Sequence, residues 1–360
     1  MKLKTLAVSV ALLAVLSAAA FWLNRPPPQP KADPLVGKPL VDASIIDGST
    51  GLRFSDQGKT IELARDAGGS WRDSSYFGLP ADFQKLSSFV NDLSSSKVQR
   101  FVTASPERLS RLDFKDTRIE VLGPGGKPSL LVTLGKNAEG GGRFVRFGDL
   151  SRAYLSTFNA WLDTDPRGWA DATLVSLKPD DVGRITIFFD QAPPLGLSRA
   201  KPGDAWSAAP PAPGRALKAD AVASLLGTLG SLRFSDTTPP SDPGAEAARR
   251  HVRTVTVTPF SGPALTISLG RVPERRNPRL SPKPAAPAPA AKGGGPAAAP
   301  EFDIVPAGPV YAFISSSDPK APVNGLMRER AFQIDEFAFT SLPQRPDDLF
   351  EPAPPARAAH

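Results

Sequence analysis

Arg118-Ile119-Glu120-Val121-Leu122, a Gly/Pro turn, and Leu130-Leu131-Val132-Thr133-Leu134-Gly135 together decide the fold, because the pattern occurs twice. It returns as Thr254-Val255-Thr256-Val257-Thr258, a turn, and Leu265-Thr266-Ile267-Ser268-Leu269-Gly270. In both places apolar and polar residues alternate with the period of a half-buried strand, on either side of a Gly-containing turn that closes an antiparallel hairpin. Gly135 and Gly270 lie 135 positions apart, and so do Trp71 and Trp206. A constant offset of this kind marks an internal repeat.

The features around the hairpin keep the same order. Glu62-Leu63-Ala64-Arg65 before Trp71 matches Gly196-Leu197-Ser198-Arg199 before Trp206, and each tryptophan precedes a helical pattern. Phe83, Leu86, Val90 and Leu93 share one face of the first helix, and Val222, Leu225, Leu226 and Leu229 one face of the second. Downstream, Tyr154-Leu155 is matched with Tyr311-Ala312-Phe313, the wider spacing reflecting a Pro/Ala/Gly-rich insertion in the second copy. The predicted class is α+β: two tandem copies of a unit with a helix packed on a mainly antiparallel sheet, after an N-terminal transmembrane helix. The expected boundaries are a signal anchor over 1–24, a proline-rich linker over 25–40, one unit over 41–179 and a second over 180–343. Residues 271–300 are read as a disordered insertion and 344–360 as a disordered tail, since such sequence buries too little apolar surface to offset the entropy of ordering.

Composition narrows the chemistry. With 41% hydrophobic and 8% aromatic residues, the chain has a normal supply for real cores, while its 40 prolines in 360 residues are about twice the usual share. The absence of cysteine excludes disulfides, thiolate metal sites and cysteine nucleophiles. His251 and His360 are the only histidines, which removes the commonest general base and metal ligand from nearly every position. These exclusions argue against an enzyme. A net charge of +7 is spread along the chain without a nucleic-acid-binding signature, so no nucleic acid is expected as partner.

The N-terminus reads as an export element. Lys2 and Lys4 precede an uncharged stretch of 18 residues from Leu6 to Leu23. As a helix it spans roughly 27 Å, close to the bilayer hydrocarbon thickness of about 30 Å. The preceding lysines favour a cytoplasmic N-terminus and a periplasmic bulk, a single pass through a bacterial inner membrane. The competing reading is a cleaved signal peptide, since Ala18-Ala19-Ala20 offers a small-residue cleavage site; both readings export the rest. Ala7, Ala11, Ala14 and Ala18 form one narrow helical stripe, a candidate docking face for another membrane helix. An alanine-rich export signal is the plainer account of it.

Other candidate sites have structural readings beside them. Gly123-Pro124-Gly125-Gly126-Lys127 with Ser129 has a glycine-rich, phosphate-loop flavour, but the spacing is wrong and a strand follows, so a hairpin turn is expected. Ser94-x-x-Lys97 and Ser317-x-x-Lys320 have acylating serine–lysine spacing without companion elements. Asp163 with Asp165, and Asp180 with Asp181, read as turn and capping residues. Trp71, Trp161, Trp169 and Trp206 are candidate stacking platforms, with a core role favoured by the repeat positions of two of them. Arg271, Arg275, Arg276, Arg279 and Lys283 form a basic run in the insertion, suited to anionic lipid or simply solvated.

An N-terminal anchor, a strand, Gly69-x-Trp71, a helix ending Leu93-Ser94-Ser95-Ser96-Lys97-Val98, Leu-Gly after a strand pair and then Tyr-Leu follow an order that resembles a bacterial family catalogued as domain of unknown function 4340. Members are commonly encoded beside gliding-motility-type ABC transporter components, and the resemblance therefore implies permease and ATPase components as partners. No catalytic residues are established for that family, so none is carried over, and no cofactor or metal is expected. The expected function is a non-enzymatic periplasmic accessory subunit, binding or scaffolding, of an envelope ABC-type transport complex. The alternative is a stand-alone envelope protein that binds glycan or peptide. The proline-rich insertion and tail depart from the family pattern.

Overall fold

The computed structural model describes residues 13–22, 33–278 and 302–352. The chain divides into two compact units, Met1–Asp171 and Ala172–His360, earlier than the Pro179 boundary read from the sequence. The reason is local: Leu174 and Leu177 donate backbone hydrogen bonds to Leu232 and Gly230, which ties this stretch to the second unit.

In the first unit α1 (Ala43–Asp47) leads into β1 (Gly51–Asp56), β2 (Lys59–Arg65), β3 (Trp71–Asp73) and β4 (Leu79–Pro80). Helix α2 (Phe83–Ser95), β5 (Val98–Thr103) and the short α3 (Pro106–Leu109) follow, then a meander of β6 (Arg118–Leu122), β7 (Pro128–Asn137), β8 (Arg143–Phe147) and β9 (Ala153–Ser156). The strands form one antiparallel sheet in the order β4-β3-β2-β1-β6-β7-β8-β9-β5. Alternate residues of these strands, among them Phe54, Ile61, Ile119, Val132 and Leu134, are buried together with Leu86, Phe89 and Leu93 of α2. Asp82 starts that helix by accepting a hydrogen bond from the Lys85 amide at 3.0 Å. Phe83, expected on the buried face, is instead 71% exposed, and Phe89 takes the place in the core. Pro80 ends β4, two residues before the N-cap Asp82.

The second unit repeats the plan with β10 (Val182–Phe188), β11 (Leu195–Ser198), β12 (Ser207–Ala209), α4 (Ala219–Gly230), β13 (Phe234–Thr238), α5 (Pro243–Ala248), β14 (Val252–Pro259) and β15 (Leu265–Arg271). After a ribbon of β16 (Arg275–Pro278) and β17 (Phe302–Val305) come β18 (Val310–Ser316), α6 (Pro322–Glu329), β19 (Ala331–Ile334) and α7 (Glu336–Thr340). The sheet order, β12-β11-β10-β14-β15-β18-β19-β13, is that of the first unit without the edge strand β4. Val222, Leu225, Leu226 and Leu229 are the buried side chains of α4, as their spacing predicts. Both units therefore carry large, fully antiparallel sheets with helices, an α+β architecture.

Four readings of the sequence need correction. Tyr154 lies on β9 and pairs with Phe101, whereas Tyr311 lies on β18 and pairs with Gly270, so the two are not equivalent. The counterpart of Tyr154 is Phe332, which pairs with Thr237 of the edge strand β13. The insertion is narrower than 271–300: Arg271 belongs to β15, and Arg275–Pro278 pairs with Phe302–Val305. Part of the tail is packed, because Leu349 and Phe350 are buried and Lys218 and Glu351 make backbone hydrogen bonds across that contact. Likewise Asp33–Leu40 is no free linker: Leu40 is buried, and Gly37 and Leu40 donate to the carbonyls of Val98 and Ser96. Residues 279–301, 25–32 and 353–360 lie outside the described residues.

Both repeat glycines have a physical reason. Side chains alternate across a sheet, so Gly135, next to core-facing Leu134, faces the opposite side, where the Leu112 carbonyl sits. A Cβ at Gly135 would fall well inside van der Waals contact of that oxygen, and a Cβ at Gly270 would do the same to the Ala248 carbonyl. The turn Ser110–Leu112 that follows α3, and α5 in the second unit, thus close the sheet face opposite α2 and α4. Gly135→Ala and Gly270→Ala should each destabilise their unit by about 1–3 kcal/mol through overpacking. Gly227→Ala in α4, where a Cβ meets nothing within 4 Å, should be neutral or stabilising. Urea-unfolding midpoints of the three variants test the difference.

Candidate functional site

A concavity of about 520 Å³ in the first unit is lined by residues next to the Gly135 contact, Leu112 and Lys136 among them. With the Leu112 carbonyl seated on the sheet, its neighbour Arg111 lines the same hollow as Lys136, the residue after Gly135. The register of β7 slips between Leu134 and Asn137, and the Gly135 carbonyl accepts a 2.8 Å hydrogen bond from Arg143 Nε. Such a bulge re-aims the side chains on it. Burial lowers the Arg143 guanidinium from its ordinary pKa.

Arg100 completes the basic rim. It pairs with Leu155, which pairs with Phe144, so the three share one sheet face as a cross-strand row. Leu112 and Leu155 are buried and form an apolar floor, and the hairpin Asn137–Gly141 makes the far wall. Glu139 is the one carboxylate among the lining residues. Among the described residues, the side chains of Arg100, Arg111 and Lys136 make no ion pair or hydrogen bond.

A second feature recurs in both units. A groove of about 410 Å³ lies between the end of α2 and the segment after β9, lined by Asp92, Ser95, Ser96, Thr157, Asn159 and Ala160. A groove of about 430 Å³ lies between the end of α4 and the segment after β19. With Val98 matched to Phe234 and Ser156 to Ile334 by strand pairing, its lining residues Thr228, Ser231, Leu232, Asp335, Phe337 and Ala338 occupy the same six positions. The first groove is polar; the second is more apolar, with Phe337 largely exposed.

The structure disperses the other sequence candidates. Gly123–Lys127 is a hairpin turn, its ends joined by a 2.8 Å bond from the Gly123 amide to the Lys127 carbonyl. Ser94 donates its hydroxyl to the helix carbonyl of Val90, and Ser317 accepts from the Ala264 amide, so neither hydroxyl is set beside a lysine base. Asp163 takes the Lys85 ammonium, and Asp165 caps the turn Pro166–Trp169 while holding Arg167. Asp180 and Asp181 occupy the first turn of the short helix Pro179–Asp181. Trp169 is core: it packs on Phe54 and Phe89, donates Nε1 to the Asp163 carbonyl at 2.8 Å and lies under Lys85. Trp71 and Trp206 are half-buried, each capped by the arginine of the matched sequence, Arg65 at 4.9 Å and Arg199 at 4.6 Å from the ring centre. Trp161 is 83% exposed. Of the alanine stripe, Ala14 and Ala18 lie on the helical segment 13–22, exposed; Ala7 and Ala11 fall outside the described residues. Of the basic run, Arg271 pairs with Glu336 and Arg276 with Glu274, whereas Arg279 and Lys283 are outside the described residues.

Sequence reading missed Asp73. It is fully buried, and its Oδ1 accepts from the amides of Ser75 and Tyr76, while Oδ2 has no partner. Burial pushes its pKa up to about 6 against the two hydrogen bonds. The folded state thus favours the protonated acid, and its contribution opposes folding above about pH 6, fading as pH falls toward the unfolded value near 4. Stability should therefore fall as pH rises from about 4 to about 6 and level off above that, and Asp73→Asn should flatten that slope in urea melts recorded across the range.

A family model described as domain of unknown function (DUF4340) matches residues 71–250, half of the chain, and the chain belongs to that family. The match runs from β3 of the first unit through α5 of the second. No curated protein and no solved structure matches the chain.

Proposed function

We propose that this member of the family is a non-enzymatic accessory subunit of an envelope ABC-type transport complex, tethered to the bacterial inner membrane and working as a binding or scaffolding module in the periplasm. The observation that carries the reading is the groove found at equivalent residues of both units. A fold that keeps one concavity in duplicate while changing the residues lining it offers two related contact surfaces. That suits assembly with unlike components better than chemistry at a single centre.

The tether rests on the sequence. Leu13–Trp22 is helical with Leu13, Val15, Leu16, Phe21 and Trp22 exposed, and the apolar stretch extends beyond the described residues on its N-terminal side. No described helix is long and apolar enough to cross a membrane. The permease and ATPase as partners follow from the resemblance set out above. A second reading, a stand-alone glycan- or peptide-binding protein, draws on Trp161, which presents its ring to solvent as a stacking platform.

Alkaline phosphatase fused after His360 should be active, and the protein should resist carbonate extraction; release by carbonate would mean a cleaved signal. Crosslinking in intact membranes should recover an ABC permease and ATPase with the full chain. Ser95→Arg combined with Ser231→Arg, one charge placed in each groove, should reduce that recovery at equal membrane abundance. Undiminished recovery would remove the grooves from the contact. Replacing Ala7, Ala11, Ala14 and Ala18 by leucine keeps the segment apolar and tests the stripe: loss of permease crosslinks would put a contact within the bilayer.

A further inference from the structure

The basic concavity on the back of the first sheet has a property that the fold does not require. Structural equivalence provides an internal control, because the second unit has the same topology without the same charges. Strand pairing places Asp236 where Arg100 stands, each following the same register slip on its edge strand. The matched carbonyls of Leu112 and Ala248 place Ala247 where Arg111 stands. Arg271 replaces Lys136, but it is engaged by Glu336 at 2.6 Å and by the Gly308 carbonyl at 3.0 Å. At these three positions the second unit therefore has a single cation, already neutralised, and the nearby Arg249 is stacked on the Phe313 ring. The first brings three cations from three separate elements to one hollow and leaves them without partners.

We propose that this hollow binds a phosphate ester, a phosphoryl group attached to an apolar or ring-bearing body. Three cations against Glu139 leave an excess of about two positive charges. A phosphomonoester carries about −1.5 to −2 at neutral pH, which matches that excess, whereas a single carboxylate supplies half of it. The planar guanidinium groups of Arg100 and Arg111 suit paired hydrogen bonds to phosphoryl oxygens, with Lys136 as a point charge. The floor of Leu112, Leu155 and Phe144 gives the body of the ester an apolar seat, and the volume lies within the range of small-molecule sites. The phosphoryl group has two possible sources, a soluble ester or a lipid headgroup. The assignment stands apart from the transport reading, since it concerns one unit's own ligand.

The test is calorimetric titration of the full chain in nonionic detergent with phenyl phosphate, with dioctanoyl phosphatidic acid and with inorganic phosphate. The expected result is saturable binding of at least one of the two esters, tighter than inorganic phosphate and weakened by added salt. Arg100→Ala with Arg111→Ala should weaken it at least tenfold, and Arg184→Ala, an exposed arginine of the second unit, should leave it unchanged. Circular dichroism melts confirm that the variants are folded. Preference for phenyl phosphate assigns a soluble ligand, and preference for the diacyl probe assigns a headgroup. No saturable binding of either ester, or binding indifferent to the double variant, overturns the proposal.

Discussion

The contact of a backbone carbonyl with a strand glycine, Leu112 on Gly135 and Ala248 on Gly270, is the constraint around which each unit is arranged. A sheet of eight or nine strands has two faces to manage, and a single long helix covers part of one. The opposite face is closed by a short segment, the turn Ser110–Leu112 after α3 in one unit and the six-residue α5 in the other, which has too few side chains to build a thick layer. Bringing its backbone down onto the sheet removes the need for one, and only a residue without a Cβ permits that approach. In the first unit the residues beside this approach, Arg111 and Lys136, line the basic hollow. In the second it packs Ala245 and Ala248 against Tyr311 and Ala331 in a small core of their own.

The two units show what repetition preserves and what it releases. Topology, the two glycines, the arginine over each matched tryptophan and the groove at the helix end are held in common. The chemistry of the exposed rims is not: Arg100 faces Asp236, and Asn159 faces Phe337, across the correspondence. Backbone contacts and buried faces fix the first group, while solvent accepts almost any side chain in the second. Divergent surfaces on a shared frame are how one fold comes to present two different contacts.

Much of that frame could be read from the chain itself. The hairpins, both helices and the paired tryptophans have short-range periodicity or fixed spacing, and the buried faces follow it. Reading went astray where the determinant is not local. Tyr154 and Tyr311 look equivalent in sequence because aromatic strands look alike, yet only pairing to the edge strand distinguishes the last meander strand from the one before it. The tail looks unfolded by composition, but Leu349 and Phe350, with Arg215 over the Phe350 ring and paired to Asp347, hold part of it down. Phe83 fits the apolar stripe by position but, as the first residue of the helix, stays exposed. The basic hollow had no signal at all, since Arg100, Arg111 and Lys136 are distant in sequence and ordinary in themselves. Asp73 was equally silent, being one aspartate in a serine-rich turn.

The outermost strands have a consequence for the life of the protein at high local density. Open antiparallel sheets end in unpaired backbone groups that invite a neighbour's strand. Here one outer strand of each sheet is very short, β4 with two residues and β12 with three, and proline stands at Pro80 and Pro210, where it cannot donate to an added strand. The opposite outer strands, β5 and β13, each carry a register slip beside their first residue, which twists the edge away from flat pairing. All four margins are thus blunted by local chemistry, so copies that meet at high concentration can touch without zipping into a continuous sheet.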